Sequence, residues 1–215
     1  SKGYKNFAFF GFKDFQWSLD RQKGFLECIN KKGYVASKFI FDNASLLWED
    51  LPEKLTEWLS TLKRPCAIFS STDELNIPLL EAAKESGAKV PDDLSMIGVD
   101  NDVLICEMTS PTLSSVDQHA VQAGFEAASV LSHWIEYGQK PSGNIILPPG
   151  TIVTRNSTHA LAVDDEHVRT ALHYIANTAP SEDISVDDVV KATVLSRRTL
   201  EKKFQSVIKS SILEE

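Results

Sequence analysis

Apolar runs and helical patterns alternate from the beginning of the chain. Phe7 to Phe12 is almost continuously apolar and is followed by a helical span from Trp17 to Lys32; Lys38 to Phe41 is followed by Leu47 to Leu62. Cys66 to Ser70 precedes Asp73 to Gly87, and then come Leu94 to Val99, Leu113 to Val116 and the helical span His119 to Tyr137. Strand and helix alternating at this spacing predict βαβ units, and hence an α/β fold whose parallel sheet is covered on both faces. Runs such as AFFGF and AIFS fit strands buried on both sides. Asn144 to Thr154 predicts two short extended segments around Pro148, Pro149 and Gly150.

Beyond Arg155 the pattern changes. Arg155 to His159 is polar enough to begin a linker, which puts a boundary near Ala160 and divides the chain into residues 1–159 and 160–215. Asp164, Asp165 and Glu166 suit the start of a helix running through Tyr174 and Ile175, because anions are favoured at a helix N-terminus. Ser185 with Asp188 has the spacing of a capping box, so a helix starting there buries Val186, Val189, Val190 and Ala192. Ser196 can cap the next helix, in which Leu200 and Phe204 share one face while Arg197, Arg198, Thr199, Lys202 and Lys203 mostly surround the other sides.

Two capped helices across a tight turn predict a small all-α helix-turn-helix unit. Its second helix, with Ser196 as the cap of the DNA-binding set, would place Arg197, Arg198 and Thr199 near base edges, with long cations such as Lys202 and Lys203 reaching the backbone. Arginine can bond guanine through a bidentate fork and lysine neutralises phosphate, so such binding weakens with salt. A solvated helix in a bundle carries the same alternating charges; the cap-turn-cap spacing favours DNA. Val194 stands where many such turns have glycine, so the turn is either remodelled or strained.

Composition adds bounds. The 215 residues, 42% hydrophobic and 24% charged, supply apolar material for one large core or two small ones. A net charge of −8 argues against non-specific coating of nucleic acid, yet Ser196 to Lys209 holds five basic residues against one acid, so any DNA contact is local. Cys28, Cys66 and Cys106 are odd in number and widely spaced, which suits reduced thiols and a cytoplasmic protein. The five histidines lack ligand spacing, and neither GxGxxG nor GxxxxGK[ST] occurs, so no metal and no nucleotide cofactor is expected. With no apolar run of eighteen and no signal-peptide pattern, no membrane partner is expected.

In an open parallel sheet, ligands bind beyond the carboxyl ends of the strands. Those positions here carry Asp14, Gln16, Trp17 and Arg21 after the first strand, and Ser71, Thr72 and Asp73 after the third. Asp100, Asn101 and Asp102 follow the fourth strand, and Asp117 and Gln118 the fifth. Carboxylates that accept from neighbouring hydroxyls, amide and guanidinium donors, and an indole to cover a ring face suit a neutral polyol. Each residue also has a plainer role: Asp73 capping the next helix, Asp100 and Asp102 ordering their own loop, Trp17 packing half-buried.

The stretches WSLDRQKGF (Trp17 to Phe25), SMIGVDND (Ser95 to Asp102), LSSVDQ (Leu113 to Gln118), ILPPGTIVTRNST (Ile146 to Thr158) and LSRRTLEKKF (Leu195 to Phe204) together resemble the bacterial xylose-operon activators. That family joins a lactose-repressor-type, periplasmic-binding-protein-like sugar domain to an arabinose-regulator-type DNA-binding domain. The resemblance implies a sugar site using Trp17, Arg21, Thr72, Asp73 and Asp100, with Gln118 lining the region between lobes; the strand-end reading adds Asn101 to that set. It also implies D-xylose or a related pentose as effector, operator DNA as partner, a homodimer, contact with RNA polymerase, and no enzymatic activity. Two departures stand out: most of the family's first sensor lobe and its second helix-turn-helix have no counterpart here, so the chain reads as a fragment that binds sugar weakly. A sugar-binding module without a DNA role is the alternative. A doubly wound enzyme using Asp73 with Asp100, or a cysteine nucleophile, is a third, but nothing in the sequence sets a base beside a nucleophile.

Overall fold

The computed structural model describes residues 3–42, 44, 46–138, 140, 143–148, 150–159, 165–178, 184–208 and 211–212. The expected boundary at Ala160 lies outside them, as do Pro149, Asp164 and Lys209. Six strands form one sheet: β1 (Asn6–Phe12), β2 (Ala36–Phe41), β3 (Cys66–Ser70), β4 (Leu94–Val99), β5 (Ser114–Val116) and β6 (Ile152–Val153), in the order β2-β1-β3-β4-β5-β6. The first five are mutually parallel, and β6 adds an antiparallel edge.

Alternation within the strands divides the core between the two faces of the sheet. Phe10, Ala8, Ile68 and Met96 pack with Leu51, Leu55 and Leu59 of α2 (Leu51–Thr61) and with Leu79, Ala82 and Ala83 of α3 (Asn76–Glu85). Phe9 and Phe69 instead meet Phe25 of α1 (Gln16–Lys31), at centroid distances of 6.0 and 5.4 Å. A short helix, α4 (Val103–Met108), follows β4, and α5 (Ala120–Tyr137) follows β5. None of the 18 residues of α5 is buried, although Val121, Phe125, Trp134 and Ile135 are apolar. The expectation of full helical cover therefore does not extend to α5.

Only one of the two extended segments expected around Pro148 forms a strand. β6 pairs with β5, while 144–148 is irregular. Gly150 makes the approach possible: a Cβ there would fall 1.2 Å from the Asp117 carbonyl oxygen.

Three more helices follow, α6 (Glu166–Thr178), α7 (Val186–Thr193) and α8 (Arg197–Val207). They bury a second cluster of their own: Val168, Ala171, Ile175, Val189, Leu200, Phe204 and Ile212. Asp165 caps α6, its Oδ1 accepting from the N–H groups of His167 (3.1 Å) and Val168 (3.2 Å). Ser185 and Asp188 form the expected capping box of α7, and Ser196 caps α8. Between them Val194 has a φ of 59°, so the turn is the left-handed one that glycine usually supplies.

Candidate functional site

Because β1, β3, β4 and β5 are adjacent and parallel, the loops that follow them lie side by side at one edge of the sheet. Arg21 reaches across from α1. Its Nη1 donates to the Ser71 carbonyl and its Nη2 lies 3.4 Å from Asp100 Oδ1, with the guanidinium 5.0 Å from the Trp17 ring centroid. A cation over an indole, fixed at its other end by a carbonyl and a carboxylate, is held in one orientation. Gln118 Nε2 donates to the same Asp100 Oδ1, leaving Oδ2 with no bonded partner among the described residues. Partial burial raises the Asp100 carboxyl's pKa above its ordinary value, against the pull of the Arg21 charge and the Gln118 amide.

The backbone here is unusual as well. Asp100 and Asn101 both take positive φ, 112° and 53°. The Asp100 N–H bonds Val116 O (3.0 Å) and the Asn101 N–H bonds Ser115 Oγ (3.0 Å), so β5 holds the pair in that conformation. Asn101 Nδ2 reaches Asp117 Oδ2 at 3.3 Å, and Asp117 Oδ1 accepts the N–H of His119, itself at φ 54°. That backbone bond is the main reason the Asp117 carboxyl sits below its ordinary pKa. A concavity of about 700 Å³ opens between Asp100, Asn101, Asp117 and His119 on one side and Val121 and Phe125 of α5 on the other.

Asp73 departs from the expectation. It is 1% exposed, and its Oδ2 accepts the Asp102 N–H (2.9 Å) and the Cys106 thiol (3.4 Å), so it anchors the start of α4 rather than facing solvent. Nor does its carboxylate cap the helix after it; Asp102 is the α4 cap, accepting from Leu104 and Ile105. Asp73 fits only because Gly98 beneath it has no side chain: a Cβ there would lie 2.1 Å from Asp73 Oδ1. Thr72 is half-buried at the head of α3, its hydroxyl 3.4 Å from the Leu75 N–H. Trp17 is 38% exposed and stacks on Phe15 (5.4 Å, 21°), the residue just before α1 and a partner the sequence reading left out. The Ser71 carbonyl was missed too, because a backbone acceptor leaves no trace in side-chain identity.

On α8 the expected basic set divides. Arg197 is spent on Glu201 (2.9 Å) and Asp187 (3.4 Å), and Lys203 on Asp165. Ser196 and Thr199 are joined to each other through the cap, with their hydroxyls 2.7 Å apart. Arg198 and Lys202 are exposed, and among the described residues no acid lies within ion-pair distance of either. Among the described residues no cluster of three acids, histidines or cysteines could hold a metal ion, and no helix is long and apolar enough to cross a membrane.

The mostly parallel six-stranded sheet defines an α/β domain with a polar rim, and the chain belongs to the periplasmic binding protein-like domain family, whose model matches residues 1–158. Among curated relatives, the xylose operon regulatory protein of Escherichia coli (strain K12) is 31% identical over 98% of this chain and 55% of its own length. The protein of the same name from Haemophilus influenzae (strain Rd) is 33% identical, over 98% of this chain and 55% of that one. The chain thus spans about half the length of the curated relatives it matches. A solved xylose-binding transcription activator is 31% identical, with a TM-score of 0.71 over 99% of this chain and 57% of that one. A LacI family regulator from Bifidobacterium animalis subsp. lactis is 25% identical, with a TM-score of 0.63 over 75% of this chain and 58% of its own.

Proposed function

We propose that this chain is part of a sugar-responsive, DNA-binding transcription regulator of a xylose or related pentose operon. Residues 1–159 form the sugar-sensing domain and 160–215 a DNA-binding domain that includes one helix-turn-helix. The observation that carries this reading is the Arg21, Asp100 and Gln118 cluster beside Trp17. A carboxylate already bonded through one oxygen offers the other to sugar hydroxyls, fixed donors meet ring and hydroxyl oxygens, and the indole covers a ring face. Asn101 and Thr72 complete the contact set, while Asp73 supports it from below.

In the DNA-binding domain α8 enters the major groove, with Arg198 and Lys202 its exposed cations that pair with no acid among the described residues, and Ser196 and Thr199 setting the helix start. A homodimer reads two half-sites in the cytoplasm and contacts RNA polymerase. Sugar acts by its differential affinity for two conformations, and a second lobe closing over Asp100 and α5 would supply that difference. The protein is not an enzyme. Burial drives the Cys66 and Cys106 thiols up to about 12, leaving poor nucleophiles, and Asp73 is enclosed.

The test is calorimetry of the complete protein with D-xylose, L-arabinose and D-ribose, together with binding of a duplex from upstream of its own coding sequence, with and without sugar, across a salt series. Pentose binding that changes salt-sensitive DNA affinity is expected, as is weaker sugar binding by this chain alone. The ion pairing of Arg197 and Lys203 favours a second reading, a sugar-binding module with no DNA role. Pentose binding with no affinity for any duplex would select it.

A further inference from the structure

The turn between α7 and α8 passes through Val194, a β-branched residue held left-handed, and such a conformation persists only where its surroundings impose it. The bonds that close the end of α7 come from side chains. Thr193 Oγ1 donates to Val190 O at 2.9 Å, and His167, from the first turn of α6, places its Nδ1 3.2 Å from Thr193 O. A carbonyl only accepts, so His167 Nδ1 is the donor of this bond. Thr193 is the last residue of α7, and its carbonyl immediately precedes the left-handed residue.

His167 is itself fixed. Its backbone N–H is bonded by Asp165, and Asp165 also takes Lys203 of α8. Burial works against ionisation of Asp165, but Lys203 and the helix N–H groups outweigh it and hold the carboxyl below its ordinary pKa. The head of α6 therefore grips its neighbours twice: the turn through His167 and the flank of α8 through Asp165.

We propose that His167 is a positioning residue for DNA recognition, a brace that replaces the usual glycine closure of the turn and sets the angle at which α8 presents Arg198 and Lys202. It touches no DNA, and it rests on the DNA-binding reading above.

The experiment uses the full-length protein with three variants, His167→Ala, His167→Asn and Val194→Gly, plus the His167→Ala/Val194→Gly pair. Asparagine can place an amide N–H near the position of Nδ1. The readouts are affinity for the upstream duplex and amide hydrogen exchange at Leu195 and Ser196, with circular dichroism confirming folding. His167→Ala should weaken DNA binding by about fivefold to tenfold, the worth of one hydrogen bond, and speed exchange at the turn. His167→Asn should restore both, and in the Val194→Gly background the effect of His167→Ala should shrink to about twofold or less, because glycine closes the turn unaided. Unchanged exchange and affinity in His167→Ala, or a loss that asparagine does not repair, would overturn the brace. Exchange reports on the turn even if no duplex binds; absence of binding by the unaltered protein would remove the DNA-binding reading, and His167's recognition role with it.

Discussion

Val194 is 93% exposed, so no packing compensates for its backbone conformation. A left-handed residue with a Cβ costs about 1–2 kcal/mol, and glycine in its place gives back about 0.5–1 kcal/mol in chain entropy. Val194→Gly is therefore expected to stabilise the three C-terminal helices by roughly 0.5–1 kcal/mol in urea unfolding; a midpoint lowered by about that much would mean the turn carries no strain. Gly98 makes the opposite case. Alanine there collides with Asp73 Oδ1, and relief by moving Asp73 breaks its bond to the Asp102 N–H. Gly98→Ala should destabilise the sheet domain by about 1–3 kcal/mol, as overpacking of a close site does, and should lower sugar affinity by shifting the Asp100 to Asp102 loop; calorimetry on the variant reads both.

At the scale of elements, local pattern carried far. β3 and β4 occupy the expected spans, and α7 begins at the capping box, because periodicity and caps act over three or four residues. The box also predicts a pH dependence. Asp188 is lowered from 3.8 to about 2, mainly by the Ser185 hydroxyl and then by Lys191. A folded pKa below the unfolded one contributes stability that is complete above the unfolded value and is lost as pH falls through about 2. Far-ultraviolet circular dichroism should show the C-terminal helices of Asp188→Ala unfolding at higher pH than the parent during acid titration; coincident curves would remove the box from the account. The short α4 escaped sequence reading, since six residues are too few for a helical period to show. On α5 the period marks an apolar stripe but not its cover, which depends on atoms elsewhere.

For the whole molecule, the proposed division of labour predicts separable losses. Arg198→Ala should weaken binding to the upstream duplex and lower its salt slope by about one if the contact is a phosphate, leaving pentose affinity unchanged. Asp100→Ala should abolish the pentose response while DNA binding without sugar persists. Loss of both functions in either variant would contradict two separate sites. The two hydrophobic clusters, one under the sheet and one among the last three helices, fit that independence.

Order along the chain was enough for strand, helix and cap, because those follow from neighbours within a turn or a pleat and from the α/β alternation that commits a chain to parallel pairing. It was enough also to bring Arg21, Asp100 and Gln118 to one edge, since every parallel strand delivers its following loop to the same side. Accessibility was beyond its reach. Asp73 and Asp100 look alike as aspartates after strands, yet one is enclosed over Gly98 and the other leaves an oxygen toward solvent; Arg197 and Arg198 are adjacent, yet only the first meets Asp187 and Glu201. Burial and ion pairing arise from groups brought close by folding, and so the roles of these residues emerged with the packed chain.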